Sequence, residues 1–267
     1  QYESMDKHIC KVNRFINNYD PANWVMTVTR VGEGKKATHK FEFKPVNVAP
    51  FGHDYLFKFG DVVLMMSGTI LDHELFCKDL GIPLHQTAFM TVESPFAAEN
   101  RPIHYLPVGK MNAKDIDATL PKMAGVIKDL LKLHADQKGI IHAHSFKVVK
   151  YLQENVKSDR LLVQNETNRE EILEIHCESK EPTVLVSPSM NEGVDLRDDL
   201  SRFQVICKVP FPYIGSDLVK KRMQLDERWY PYTTAKTIMQ AYGRSVRNQD
   251  DHAQTYVLDE CWEDFYR

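Results

Sequence analysis

The 267-residue sequence contains no Gly-x-x-x-x-Gly-Lys-Ser/Thr stretch, no Cys-x-x-Cys pair and no Gly-rich dinucleotide loop after a first strand. Without the first, the chain has no phosphate cradle of its own. Gly32-Glu33-Gly34-Lys35-Lys36 is the nearest glycine–lysine cluster, but no hydroxyl residue follows it and no long apolar strand precedes it, so it reads as a solvated hairpin turn. The five cysteines, at 10, 77, 177, 207 and 261, are odd in number and scattered, as expected for reduced intracellular thiols. Apolar runs stay well short of the roughly 18 residues a membrane helix needs, and no signal-peptide pattern is visible. A soluble intracellular protein with no membrane partner is therefore expected. Basic charge is not in excess either: 34 Lys and Arg against 37 Asp and Glu leave a formal charge of −3. Any nucleic-acid contact must then come from a local groove, not from a global field. Internal repeats and low-complexity stretches are absent as well.

What is present from Arg101 onward is a regular α/β alternation, the pattern of a parallel sheet with crossover helices. Ile103 to Leu106, Ile140 to Ser145, Leu161 to Gln164, Thr183 to Val186, Phe203 to Lys208 and Gln254 to Asp259 read as strands. Ile116, Leu120, Met123, Ile127, Leu130 and Leu131 form a helical stripe, and a second helix is expected from Phe146 to Val156. Upstream, Met5 to Tyr19 has a helical period, and Trp24 to Thr29 and Thr38 to Phe43 alternate about a turn like a β-hairpin. Asp61 to Met66 reads as a short apolar strand. The expected division is an α+β segment over residues 1–100 and an α/β domain over residues 101–267.

The most informative stretch is Gln240-Ala241-Tyr242-Gly243-Arg244-Ser245-Val246-Arg247. Read as a helix, it places Arg244 and Arg247 at i and i+3, so both guanidinium groups leave one face. Two permanently charged forks suit a triphosphate, in the arginine-finger role that speeds phosphoryl transfer by roughly 10³ to 10⁵. Gly243 leaves room for close backbone approach. A solvated helix carrying two ordinary arginines is the competing reading. About fifty residues upstream, Ser189-Met190-Asn191-Glu192-Gly193-Val194-Asp195-Leu196 follows the apolar run Thr183 to Val186. Polar loops at strand ends are where α/β folds bind ligands.

Together with Met66-Ser67-Gly68-Thr69-Ile70-Leu71 and Leu80-Gly81-Ile82-Pro83, these segments resemble, in content and order, the XPD/DinG-type helicases of superfamily 2. In that family a Ser-Gly/Ala-Thr motif closes the first motor lobe, and Glu-Gly-x-Asp and Gln-x-x-Gly-Arg-x-x-Arg belong to the second. The resemblance implies a RecA-like parallel sheet flanked by helices, the P-loop NTPase-like second lobe, in residues 101–267, and a remnant of the first lobe before it. The chain is then the C-terminal part of a larger helicase. ATP and Mg²⁺ would be bound mainly by the missing first lobe, and this chain alone would not hydrolyse ATP. The family's iron–sulfur cluster, a four-cysteine site of the first lobe, is not in this chain.

The same resemblance assigns Gln240, Arg244 and Arg247 to catalysis, and Glu192, Gly193, Asp195 and Gly243 to the nucleotide. Single-stranded DNA would be met by Thr69, His144, Ser145, Ser187, Lys220 and Lys221. Several of these residues have plainer readings. Ser145 serves equally as a helix cap before Phe146, and the run Lys220-Lys221-Arg222 equally as a solvated helix face. His142 and His144, where the family commonly has phenylalanine or proline before the serine, share one strand face on which a zinc site is conceivable, but no third ligand is evident. Asp250-Asp251 and Asp259-Glu260 resemble an acidic Mg²⁺ box but follow the arginine motif instead of preceding it; Asp251 reads as a cap on the turn into Gln254 to Asp259. The alternative function is a non-catalytic RecA-like module that binds nucleic acid or protein.

Overall fold

The computed structural model of the protein describes residues 2–32, 34, 37–190 and 193–266. It divides into two compact units, Gln1–Phe89 with Pro212–Tyr230, and Met90–Phe211 with Pro231–Arg267.

In the first unit, α1 (Tyr2–Asn18) is followed by an antiparallel hairpin of β1 (Trp24–Val31) and β2 (Thr38–Pro45). Strand alternation puts the cross-strand pairs Trp24–Pro45, Met26–Phe43 and Val28–Phe41 on one face. Phe15 of α1 packs on that face, its ring 4.5 Å from Phe43 and 5.3 Å from Trp24. Glu33, Lys35 and Lys36 of the expected turn lie outside the described residues. Helix α2 (His73–Leu80) starts where the Asp72 carboxylate accepts the Leu75 N–H at 2.9 Å. A further helix of this unit, α6 (Asp217–Leu225), stops at Asp226, whose extended backbone and ion pair to Lys78 (2.6 Å) turn the chain.

The strand expected over Asp61 to Met66 does not form. Val62, Leu64 and Met66 are more than four-fifths exposed, and no ladder includes them among the described residues. A short apolar run is not sufficient for a strand, because its N–H and C=O groups need a neighbouring edge. The two-stranded hairpin of this unit does not provide one.

The second unit is built on six parallel strands: β3 (Ile103–Gly109), β4 (Gly139–His142), β5 (Leu161–Val163), β6 (Val184–Ser187), β7 (Phe203–Ile206) and β8 (Gln254–Asp259). Their spatial order is β3-β8-β7-β4-β6-β5. Every residue of β4, β6 and β7 is buried, as a parallel sheet covered on both faces requires. On one face lie α3 (Ile116–Leu133) and α4 (Phe146–Asn155), whose Leu120, Met123, Ile127, Val148 and Leu152 meet Ile141, Val186 and Val205. The other face is covered by α5 (Arg169–Glu178), α7 (Trp229–Tyr242) and α8 (Cys261–Tyr266), through Ile172, Ile238 and Cys261. The α/β reading of the sequence therefore describes this unit correctly. One expectation is trimmed: β4 ends at His142 instead of Ser145, because His144 turns to φ +49°.

Close packing sets one residue type at the start of the central strand. A Cβ on Gly139 would lie 2.5 Å from the ring of Phe203, itself fully buried on the neighbouring strand. Gly139→Ala is expected to destabilise this unit by about 1–3 kcal/mol through overpacking. A urea unfolding midpoint that does not fall would show that the ring has room to move.

Candidate functional site

Between the loop after β6 and the turn that leads into the amino end of β8, an open cleft of about 610 Å³ is lined by Gly193, Val194, Asp195, Arg197, Asp198, Arg244, Arg247 and Asn248. Three arginines face two aspartates among these residues, a lining suited to an anion. Its floor is the loop after β6, where Gly193 takes φ +71°, a left-handed conformation costly for residues with a Cβ. Glu192 and Asn191 lie outside the described residues.

The arginines do not ride on a helix. Helix α7 ends at Tyr242, and Arg244 and Arg247 sit in the turn that follows. The helix stops because Ser245 is drawn inward: its buried hydroxyl lies 2.7 Å from Ser201 Oγ and donates to Gln204 Oε1 at 3.4 Å. The two guanidinium groups converge on the cleft all the same. Arg244 donates from Nε to the Gln240 carbonyl (2.9 Å) and from Nη1 to the Val194 carbonyl (3.2 Å), while its own carbonyl accepts the Leu196 N–H (3.3 Å). Gln240 thus reaches this turn through its carbonyl. Arg247 Nε lies 3.0 Å from Asp195 Oδ1, with side chains 36% and 60% exposed, so the pair contributes no more than about 1 kcal/mol and exchanges readily. Gly243 keeps the helical N–H bond to Met239 (3.0 Å), and a Cβ there would lie 3.2 Å from the Met239 carbonyl oxygen.

Asp251 bonds within the turn that leads into β8 and also reaches beyond it. It is 2% exposed and accepts the backbone N–H groups of Arg247 and Asp198, each at 3.1 Å, through Oδ2. Its Oδ1 accepts Arg202 Nη1 at 2.7 Å and the His252 N–H at 2.9 Å. Asp259, also buried, accepts the N–H groups of Val209 (2.8 Å), Met111 (2.9 Å) and Cys261 (3.0 Å). Both carboxylates are thereby committed to the fold. Among the described residues no group of three or more His, Cys, Asp or Glu is arranged to hold a metal.

The other sequence-derived positions are more dispersed. Ser145 precedes α4 in extended conformation, and its side chain makes no capping bond. Ser187 is fully buried: it donates to Gln164 and accepts the N–H groups of Ser189 and Met190, so its hydroxyl does not reach a surface where nucleic acid could pass. Thr69, Lys220 and Lys221 belong to the first unit. Thr69 closes a small turn with Ser67, its N–H 3.2 Å from Ser67 Oγ. The three consecutive basic residues of α6 diverge. Lys220 pairs with Asp217 at 3.3 Å, Lys221 donates to the Trp24 carbonyl at 3.4 Å, and Arg222 stacks over Trp229.

Residues 127–264, just over half of the chain, match the family described as Helicase C-terminal domain. The chain belongs to that family. Among curated relatives, the ATP-dependent DNA helicase DinG of Photobacterium profundum is 27% identical over 205 residues, covering 69% of this chain and 29% of its own length. The ATP-dependent DNA helicase YoaA of Escherichia coli is 29% identical over 108 residues, covering 37% of this chain and 17% of its own. This chain therefore spans less than a third of these relatives. A solved structure of apo XPD superposes with a TM-score of 0.65 at 19% identity, covering 99% of this chain and 56% of that one, a likeness of fold. The helicase C-terminal domain is thus of the XPD/DinG type, with the RecA-like parallel sheet that the motifs implied. No helix among the described residues is long and apolar enough to cross a membrane.

Beneath the arginine turn of this helicase domain lies a pair that the sequence showed but periodicity could not explain. The rings of His142 and His144 stack at 5.9 Å, and His142 Nδ1 and Nε2 and His144 Nε2 are buried without hydrogen-bond partners. The nearby Gln204 amide nitrogen already donates to the Tyr242 carbonyl (2.9 Å) and Thr255 Oγ1 (2.8 Å). Burial, with the neighbouring His144 and Arg244 adding to it, pushes His142 down to about 3; burial and the Lys208 charge push His144 down to about 4. Both rings are neutral in the fold and bind protons on unfolding, so their stabilising contribution is complete above the ordinary histidine value of 6.5 and is lost as pH falls towards 4 and 3. His142→Phe removes one unsatisfied polar ring. It should stabilise the domain at pH 7 by about 1–3 kcal/mol and flatten the acid limb between pH 6.5 and 4. Urea titrations at both pH values check this, and an acid limb as steep as in the native chain would contradict it.

Proposed function

We propose that this chain supplies the second motor lobe of an ATP-dependent DNA helicase, with Arg244 and Arg247 as arginine fingers for a triphosphate held by a first lobe outside these 267 residues. The observation that carries the reading is the convergence of both arginines with Gly193 and Asp195 on one anion-suited cleft. Guanidinium forks there would meet the charge that grows on the γ-phosphoryl oxygens. The names of the relatives, ATP-dependent DNA helicases, support the same chemistry.

Mg²⁺, when bound, would offset the negative charge of the triphosphate. Asp251 and Asp259 are occupied by backbone N–H groups and Arg202, so the ion would be held by the first lobe. With no P-loop, this chain alone would bind nucleotide weakly and turn none over. Single-stranded DNA is the proposed track. Ser145 is its best-placed contact in the second unit, since its hydroxyl is not used to cap α4. Thr69 and Lys220 are the candidates in the first unit. Nucleotide-dependent closure onto the arginines would alter affinity at such contacts and move the strand.

The test is single-stranded-DNA-stimulated ATP hydrolysis by the full-length protein. Arg244→Ala and Arg247→Ala are each expected to lower turnover by roughly 10³-fold while ATP binding is retained. Turnover unchanged by either substitution would reject the arginine fingers. No turnover in the native protein would instead favour a RecA-like module that only binds.

A further inference from the structure

Two turns form opposite walls of the cleft, one ending at Asp198 and the other carrying Arg247. Neither is part of a sheet or an α-helix, and their backbones make no ladder with one another. Bonds from the Leu196 N–H to the Arg244 carbonyl and from Arg244 to the Val194 carbonyl, with the exposed Arg247–Asp195 pair, link them along the cleft, and one buried carboxylate ties the backbones of Asp198 and Arg247. Asp251 Oδ2 accepts the N–H of Asp198 and the N–H of Arg247, each at 3.1 Å, and thus bridges walls some fifty residues apart in the chain. The second oxygen is bound by Arg202 Nη1 (2.7 Å), whose guanidinium supplies the countercharge that a carboxylate needs when buried. At the surface, Asn248 Nδ2 adds a second tie to Asp198 Oδ1 at 3.0 Å.

We infer that Asp251 is a positioning residue, a clamp that fixes the separation of the two cleft walls and so holds Arg247 where a triphosphate oxygen would meet it. The inference rests on the arginine-finger reading for its consequence, though not for its geometry. The backbone of Arg247 is anchored by Asp251, so its guanidinium starts from a fixed position while the exposed pair with Asp195 leaves it able to exchange onto an anion. A misplacement of about 1 Å at such a group is enough to cost roughly 10²-fold in rate. The clamp also explains why an aspartate is required. Four donors approach its two oxygens, two on each, so an asparagine at this position must turn its NH₂ towards one pair of donors. The charge of Arg202 retains the remaining oxygen, and the NH₂ then faces the N–H groups of Asp198 and Arg247.

Asp251→Asn in the full-length protein is the test, read in two ways. Hydrogen exchange of the segments around Asp198 and Arg247 should speed up by at least tenfold, with β4 and β7 unchanged. Single-stranded-DNA-stimulated kcat should fall by roughly 10- to 100-fold with the KM for ATP within about twofold of the native value. Should Asp251→Asn not fold, Asn248→Ala takes its place. That residue is exposed, and its loss should produce the same two changes on a smaller scale. Unchanged exchange around Asp198 and Arg247 overturns the clamp whatever the turnover does. Faster exchange with unchanged kcat, in a protein where Arg247→Ala abolishes turnover, overturns the positioning role. If Arg247→Ala itself leaves turnover intact, the arginine-finger reading fails and the clamp is judged on exchange alone.

Discussion

The Gln204 side chain is the constraint on which the working end of the second unit depends. It lies 1% exposed in the middle of a parallel sheet, where an unbonded amide costs a few kcal/mol, about as much as several buried methylenes contribute. Its bonds are therefore obligatory, and they run to three separate places: Thr255 on the adjacent strand, the Tyr242 carbonyl at the end of α7, and the Ser245 hydroxyl in the turn beyond. The Tyr242 carbonyl is one that the helix itself can no longer satisfy. By accepting Ser245 and capping Tyr242, Gln204 decides where α7 stops and on which side of the sheet the arginine turn emerges. Ser201 completes the layer from below.

Much of this unit is legible in the sequence for a simple physical reason. Strands buried on both faces, such as Ile140-Ile141 and Val184-Leu185-Val186, read as short apolar runs, and the stripe from Ile116 to Leu131 reads as a helix because it faces one side at every turn. The failures share a different cause. Asp61 to Met66 has the apolar run of a buried strand, but whether it becomes one depends on a distant edge. Arg244 and Arg247 continue a helical spacing past the point where Ser245, turned inward by residues some forty positions away, ends the helix. Asp251 takes two of its four donors, Arg247 and His252, from its own turn, but Asp198 and Arg202, some fifty residues away, are out of reach of a local reading.

The candidate site divides along the same line. That Gly193, Asp195, Arg244 and Arg247 belong to one place could be read from motif and order, although the loop leaves the carboxyl end of β6 whereas the turn after α7 leads into the amino end of β8. The surroundings that hold them could not. Ser187 carries the residue type of a phosphate contact, yet it spends its hydroxyl on turning the loop after β6, with Gln164 and two backbone N–H groups as partners. Motif resemblance identifies residue types and order, and only packing separates a hydroxyl that faces out from one that holds the loop.

The arrangement of the arginines bears on how the two halves of a proposed ATP site would communicate. Each guanidinium already has an acceptor on the loop after β6: Val194 for Arg244 and Asp195 for Arg247. A triphosphate must therefore displace these partners, not fill a vacancy. The exposed pair with Asp195 offers little resistance, because solvent screens it to about 1 kcal/mol or less, whereas a polyphosphate presents several charges to a bidentate fork. Exchange is then favourable, and it carries a structural message: once Arg247 leaves Asp195, the loop that includes Gly193 keeps only its Val194 and Leu196 bonds to Arg244. Gly193, at positive φ, lies where that loop can answer with a small backbone rotation. A change in phosphate occupancy on one side of the cleft would thus be felt in the loop after β6. β4, whose carboxyl end leads to His144 and Ser145, pairs directly with that strand.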